Sequence, residues 1–573
     1  MDNRFYFNRI YIFRLVIILT LSFIYMQYAH AQVTFNDKKT LKITYQQTSN
    51  GQVIENQNPV WVFADSRYTY ITSRDQWLGK SSYPTETTLV DHTSSHYFQF
   101  AFLNTDDIVA AQDTASIARQ TFELLDETKT ILGYTCKKAK TSINSNTIEL
   151  WYTNDLDIKA SPSVLGQQLG VVLEYIRNGN YAIQAVSIHK EAVQTPDFIT
   201  YEHFSLLDKI SYQDKVWKSR FTTIPIFDRQ QIHFSDTWEA RDSILRFANG
   251  TIAVKKVRFP VLGRQHQLFL DLTEQSNGDA YDRTGSVFMI PEDKLLSFMN
   301  GLQNGIQVLP VYDNGNGKKY QGIVATEDYS PALELMRFFT PFGVKHFNDR
   351  VTLKGKLWQD SAFYRQDITQ YASILSGKEI YIGAFIGNYD KGGHIISAHI
   401  TIHNEDDTNN AMKQVVPLFN TVNIMEMAGQ EYGTMFDNDK GLMIEFELNK
   451  ELNKAQLVYT TTGHGGWGNG DEFVPKKNTI LLDGRIVFDL VPWRTDCGSY
   501  RLYNPVSGNF SNGLSSSDYS RSNWCPGTVT NPYYIDLGNL SAGKHTIQIK
   551  IPQGAPEGNS FSAWNVSGVL IGE

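Results

Sequence analysis

Short apolar runs alternating with polar residues dominate the chain. Over residues 33 to about 234 they read "TLKITYQ", "TIELWYTN", "LGVVLEYI" and "YAIQAVSI", separated by Asn, Gly and Asp turns. A period of two turns one side of each run to a core and the other to water, so these are half-buried strands. Residues 106–125 are the one stretch here whose spacing suits a helix. A polar passage, "DTWEARDSILRFANGTIAV", leads to a second block from residue 255, with "HQLFLDLT", "SVFMIP", "ALELMRFFTPF", "EIYIGAFI" and "HIISAHITIH". Beyond "NEDDTNN", a linker by composition, a third block repeats the style as "LMIEFELN", "AQLVYTTTG", "NTILLDGRIVFDLV", "PYYIDLGN", "HTIQIKIP" and "WNVSGVLI". The pattern predicts an all-β chain: a strand-rich accessory domain over 32–240, then two consecutive β-sandwiches packed side by side over 241–405 and 406–573. A site is expected in the cleft they share.

The first residues change the picture of where this chain works. Arg4, Arg9 and Arg14 precede the apolar run 15–25, which ends in Ala29-His30-Ala31. Basic, apolar and small-x-small in that order describe a secretory signal peptide over 1–31, cleaved after Ala31. The competing reading is an uncleaved anchor over 7–28. No Cys follows the site, which argues against a lipoprotein, and no later run is long enough to span a bilayer. Secretion, or the periplasm of a Gram-negative bacterium, is therefore expected, with no stable membrane insertion after cleavage. The formal net charge of −8 leaves no basic stripe for nucleic acid. Aromatics at 13% leave ample ring surface for a neutral, hydroxyl-rich partner. Export permits a disulfide, and Cys497 and Cys525 share a Gly/Ser/Asn/Tyr-rich stretch where a bridge would remove about 3–4 kcal/mol of unfolded-chain entropy. Cys136 is left over, and burial in a strand is its expected place.

Candidate chemistry begins at "GDAYDRTGSVFMIP", a Gly-Asp turn that feeds a strand and carries Asp282 and Arg283. Alone, such an Asp does no more than bond turn amides. Its company raises it. Toward the N-terminus, "ILGYTCKKAKT", "IELWYTNDLDI" and "SVLGQQLGVVLEY" resemble the GLPGLI family of exported Bacteroidetes proteins, departing at Gln168, where that family has Pro. From about residue 245 onward the segments resemble, in order, the peptide-N-glycosidase F family. "GDAYDRTGSVFMI" is similar to its Asp-x-x-aromatic-Asp-Arg turn, "LELMRFFTPFGV" to its Gly-Arg-Phe-Ile-Thr-Pro-Tyr segment and "SILSGKEIYIGAF" to its Leu-Leu-Ser-Gly strand. "SRSNWCPG" is similar to its Arg-x-x-Trp-Cys-Pro-Gly segment, which also supports a Cys497–Cys525 bridge.

The resemblance implies two jelly-roll sandwiches and an amidase that releases whole N-linked glycans. It makes Asp282 the principal catalytic acid/base, Glu472 in "TGHGGWGNGDEFVPKK" its partner, and Arg521 with Arg283 charge-tuning and positioning groups. Phe385, His464, Trp467 and Trp524 fall among the expected substrate contacts, with His464 near the place of a family Trp. The family's second important glutamate corresponds to Gly383, so Asp390 or Asp471 is expected to compensate, or turnover to weaken, or the substrate to differ. Hydrolysis of an amide needs an activated water, a stabilised oxyanion and a proton for nitrogen, which paired carboxylates and an Arg supply without metal or cofactor. No metal-ligand spacing, Gly-x-Ser-x-Gly or phosphate loop is present. The expected partner is an N-glycoprotein or glycopeptide met by a monomer. The other readings are an inactive glycan-binding module on the same scaffold and a glycosidase cleaving between sugars.

Overall fold

The computed structural model describes residues 35, 40–55, 57–191, 204–236, 243–343, 353–404, 411–465, 470–508 and 513–573. The expected signal peptide lies outside them, as does nearly all of the "NEDDTNN" linker. No described helix is long and apolar enough to cross a membrane. The chain divides into two units, with the break at Arg220/Phe221.

The first unit is built on one thirteen-stranded sheet. Leu41–Ser49 lies in its middle, between Tyr181–Lys190 and Val60–Ala64, with Leu41, Ile43 and Tyr45 turned into the core as a period of two requires. Cys136 is buried and unbridged in the strand Tyr134–Ile143. The helix expected over 106–125 does not form. Ile108–Asp113 and Glu123–Ile131 are strands instead. Asp113 ends the first by accepting the amides of Ala115 and Ser116, a turn that competes with helix continuation.

The second unit holds two sandwiches of antiparallel sheets. In the first, His394–Asn404 sits between Phe221–Ile232 and His266–Ser276 in a four-stranded sheet. The strand Phe221–Ile232 therefore belongs here, although the sequence reading ends the accessory domain at 240. The opposing six-stranded sheet contains Thr284–Ile290 between Glu379–Ile386 and Leu333–Phe339. Leu268, Leu270, Val287, Phe338, Ile382 and Ile400 fill the space between. In the second sandwich Leu452–His464 and Ala563–Gly572 lie in one four-stranded sheet, and Asn478–Leu482 and Gly543–Lys550 in the other.

The sandwiches are joined by apolar packing and by charge. Val458, Val569 and Ile571 of the second extend the core of the first, and Val529–Thr530 adds an edge strand to the first's larger sheet. Arg337, wholly buried, forks onto Glu334 at 3.0 and 2.7 Å, and then crosses to Thr462 Oγ1 at 3.2 Å and to the Asn565 carbonyl. Ser286 and Ser567 donate to the same Glu334, so every charged atom of the pair is met.

Candidate active site

The first sandwich contributes a turn. After His266–Ser276, the Ser276 hydroxyl donates to the Asp279 carbonyl, and Asp279 Oδ1 accepts the Tyr281 amide at 3.1 Å. Gly278 has φ +151°, and a Cβ there would sit 2.7 Å from Asp390 Oδ1, so the approach of turn to turn needs glycine. Arg283 Nε and Nη2 bond Asp279 at 2.6 and 3.2 Å. His394 stands behind, its Nδ1 2.7 Å from Glu274 Oε1 and its Nε2 3.5 Å from Asp279 Oδ2, all wholly or almost wholly buried. Burial pushes the Asp279 carboxyl up, but His394 and Arg283 outweigh it and hold it at about 2. Burial likewise opposes charge on His394, yet Asp279 and Glu274 raise it to about 9. On the other side Thr340 accepts the Arg283 amide, donates to the Tyr281 carbonyl and gives its own amide to the Arg283 carbonyl. Asp282 is thus gripped between Tyr281 and Arg283 before Thr284–Ile290 begins.

The second sandwich contributes a carboxylate and the cation between them. Arg521 exchanges both backbone hydrogen bonds with Arg494, and Ser522 donates its amide to the Glu472 carbonyl. The Arg521 side chain has no solvent exposure; its guanidinium lies 4.3 Å from the Trp524 ring centre and 5.0 Å from that of Phe473. From that slot Nη1 reaches Asp282 Oδ2 at 3.1 Å and Glu472 Oε1 at 2.9 Å, and Nη2 bonds the Ser516 carbonyl. The Cys497–Cys525 disulfide, with Cα atoms 5.1 Å apart, closes the loop next to it.

Two carboxylates on one nitrogen cannot both ionise freely. Their side chains are 14% and 19% exposed, and burial pushes both pKa values up against the pull of Arg521. Asp282 also raises Glu472. The pair therefore holds a proton near neutrality, which is what a site needing acid and base together requires.

Asp282 and Arg283 open on a cavity of about 360 Å³, shared with Phe385, Tyr389, Glu426 and His464. Of the residues expected from sequence, Asp282, Glu472 and Arg521 meet directly, and Arg283, Phe385 and His464 reach the cavity wall. Trp467 lies outside the described residues. Trp524 corrects the expectation of a sugar contact: it is 4% exposed, stacked 4.2 Å from Phe339, with Nε1 bonded to the Gly463 carbonyl, and it backs Arg521 instead. At Gly383 a Cβ would lie 2.4 Å from the Phe288 ring, so that position faces a filled core. Neither expected substitute is free. Asp390 accepts the amides of Gly392 and Gly393, and Asp471 is buried against Trp564 Nε1 and the Gly554 amide. The additional carboxylate in the cavity is Glu426, which accepts the phenols of Tyr389 and Tyr432. Sequence reasoning missed it, along with Asp279, Glu274 and His394. Of these only Asp279 carried a signal, four residues before Arg283.

Three family models match the chain. They are described as N-glycanase peptide, N-terminal domain (residues 43–214), peptide-N-glycosidase F, N terminal (223–402), and peptide-N-glycosidase F, C terminal (431–571). The first takes the place of the GLPGLI likeness expected for that segment. No curated protein matches. Two solved structures of PNGF-II, in space groups C2 and P21, are each 54% identical and cover 93% of this chain. The matches span 98% and 99% of those chains, with TM-scores of 0.86 and 0.88.

Proposed function

Because this chain belongs to the peptide-N-glycosidase F family, we propose that it is an exported amidase that hydrolyses the linkage between asparagine and the first N-acetylglucosamine of N-glycoproteins. The observation that carries this reading is the pair of carboxylates, one from each sandwich, bonded to the single Arg521 nitrogen.

With both carboxylates bonded to one Arg521 nitrogen, the reaction needs a water bound between Asp282 and Glu472, in hydrogen-bond reach of both. As its oxygen attacks the side-chain amide carbon of the glycosylated asparagine, one carboxylate takes its proton. The other, kept protonated by burial, gives its proton to the departing nitrogen. Arg521 holds both oxygens and offsets whichever charge is present, so the pair ends the cycle with one proton, as it began. The products are a peptide with aspartate in place of asparagine and a glycosylamine, which hydrolyses to free glycan and ammonia. Phe385, only 2% exposed and packed in the core, backs the cavity wall rather than presenting an open ring face.

The test is to incubate the chain from Gln32 onward with a denatured N-glycoprotein and weigh the peptides beside an Asp282→Ala control. Glycan loss with conversion of Asn to Asp, absent in the control, is the expected result. A peptide that keeps one N-acetylglucosamine would make the protein a glycosidase, and retained glycan binding without release would make it a binding module.

A further inference from the structure

His464 ends the strand Leu452–His464, and its ring lies on Phe339 and Trp524, with centres 5.7 and 5.5 Å away. Its Nε2 is 2.8 Å from Thr462 Oγ1. Which of the two donates follows from counting protons. Arg337 has no acceptor atom, so its Nη1 donates to Thr462 Oγ1. The Thr462 hydroxyl is wholly buried, and among the described residues the side-chain atom in reach that could accept its one hydrogen is His464 Nε2. Leaving that hydrogen unpaired is costly, so Nε2 accepts and the ring proton is on Nδ1. A second ring proton is opposed by burial, then by Arg337 and Arg521, which together lower the group to about 3. Nδ1 has no partner among the described residues, and the ring lines the cavity onto which Asp282 opens.

We propose that His464 is a neutral, one-sided hydrogen-bond donor to a carbonyl oxygen of the bound glycopeptide, with its tautomer imposed across the sandwich interface by Glu334, Arg337 and Thr462. A sugar hydroxyl can donate or accept and is met as well by the carboxylates of Asp282 and Glu426. A group that only donates selects oxygens that only accept. Outside the peptide backbone, the carbonyls of an N-acetylglucosaminyl asparagine are those of the acetamido group and of the scissile amide. Neutrality matters too, because a second positive charge on the wall of this cavity would favour ionisation of Asp282, against the proton the carboxylate pair holds. This inference rests on the amidase reading for its substrate, but not for its tautomer.

The tests separate the two. In histidine-labelled protein, with the His464 signal identified by its loss in His464→Asn, long-range ¹⁵N–¹H spectra should show the Nδ1–H tautomer unchanged from pH 5 to 8. An Nε2–H tautomer, or a titration near the ordinary histidine midpoint, would overturn the proposal even if the enzyme is active. In kinetics, His464→Phe keeps the ring and deletes the donor, and is expected to lose about 10- to 100-fold in kcat/KM. His464→Asn, whose amide nitrogen falls near the Nδ1 position, should recover part of that. A rise in KM alone identifies the acetamido carbonyl, and a fall in kcat identifies the oxyanion of the scissile amide. Wild-type constants in His464→Phe, or equal losses in both variants, would assign the residue to packing and sink the proposal. No release by the wild type would instead retire the amidase reading.

Discussion

Replacing Glu472 with glutamine removes one of two carboxylates that share a nitrogen of Arg521, and its effects on activity and stability should run in opposite directions. Activity should disappear, since the water loses one of its two proton-handling neighbours. The folded-state values of Asp282 and Glu472 are raised to about 6 and about 7. A raised carboxylate favours the fold fully below its unfolded value, near 4, and that advantage is lost as pH climbs through the folded value. The wild type therefore carries a penalty at pH 8 that Glu472→Gln lacks, on the order of 1–3 kcal/mol, while the two should match at pH 4. Urea unfolding of both proteins at the two pH values measures this. At this scale the sequence is legible where chemistry is tied to a contiguous motif: Asp282, Glu472 and Arg521 stand in segments with their own signature, and the structure brings them together. Glu426 and His394 stand in no such segment. Glu426 becomes a cavity residue only because Tyr389 and Tyr432, from separate parts of the chain, meet on its carboxylate.

The turn that carries Asp282 is held by charges as much as by backbone. His394→Asn leaves Asp279 with Arg283 as its remaining charged partner and Glu274 buried without its partner, so a loss of about 3–5 kcal/mol is expected, together with a fall in kcat as Asp282 loses its placement. His394 is raised to about 9. Its stabilising contribution is complete below the ordinary histidine value near 6.5 and drains away as pH rises through 9. The Tm of the wild type should therefore drop between pH 7.5 and 9.5 more steeply than that of His394→Asn. The strand Glu379–Ile386 gives a second case. Gly383→Ala drives a methyl into the Phe288 ring and should destabilise by roughly 1–3 kcal/mol, readable as a lower urea midpoint. Strands themselves are legible from alternation, because one face is wet and the other dry. The misread element, 106–125, shows the limit: small residues such as Ala110, Ala111 and Ala115 fit a helix or a strand, and the decision came from Asp113 capping a turn and from neighbouring strands.

Across the second unit, order along the chain says little about which strands adjoin. The thirteen-residue strand Leu452–His464 pairs with Ala563–Gly572, about a hundred positions on, and nothing in either segment announces it. Sandwich architecture follows from counting short alternating strands, whereas the seam between sandwiches depends on Glu334 and Arg337, three residues apart in a run that reads as continuous core. Arg337→Ala strips Glu334 of its partner and loosens Thr462, so cooperative unfolding should occur at lower denaturant and His464 should lose its single tautomer. The bridge beside Arg521 is a second long-range tie. Cys497→Ala with Cys525→Ala should cost about 3–4 kcal/mol and reduce kcat, a result to set against unfolding of the reduced wild type. Asp282 comes from one sandwich, whereas Glu472 and Arg521 come from the other, and this division behaves as a logical conjunction. Each half alone holds an incomplete sentence of chemistry. Two polypeptides separated between residues 404 and 411 should be silent apart and speak only when brought together, so glycan release would serve as a reporter of the proximity of whatever they are fused to.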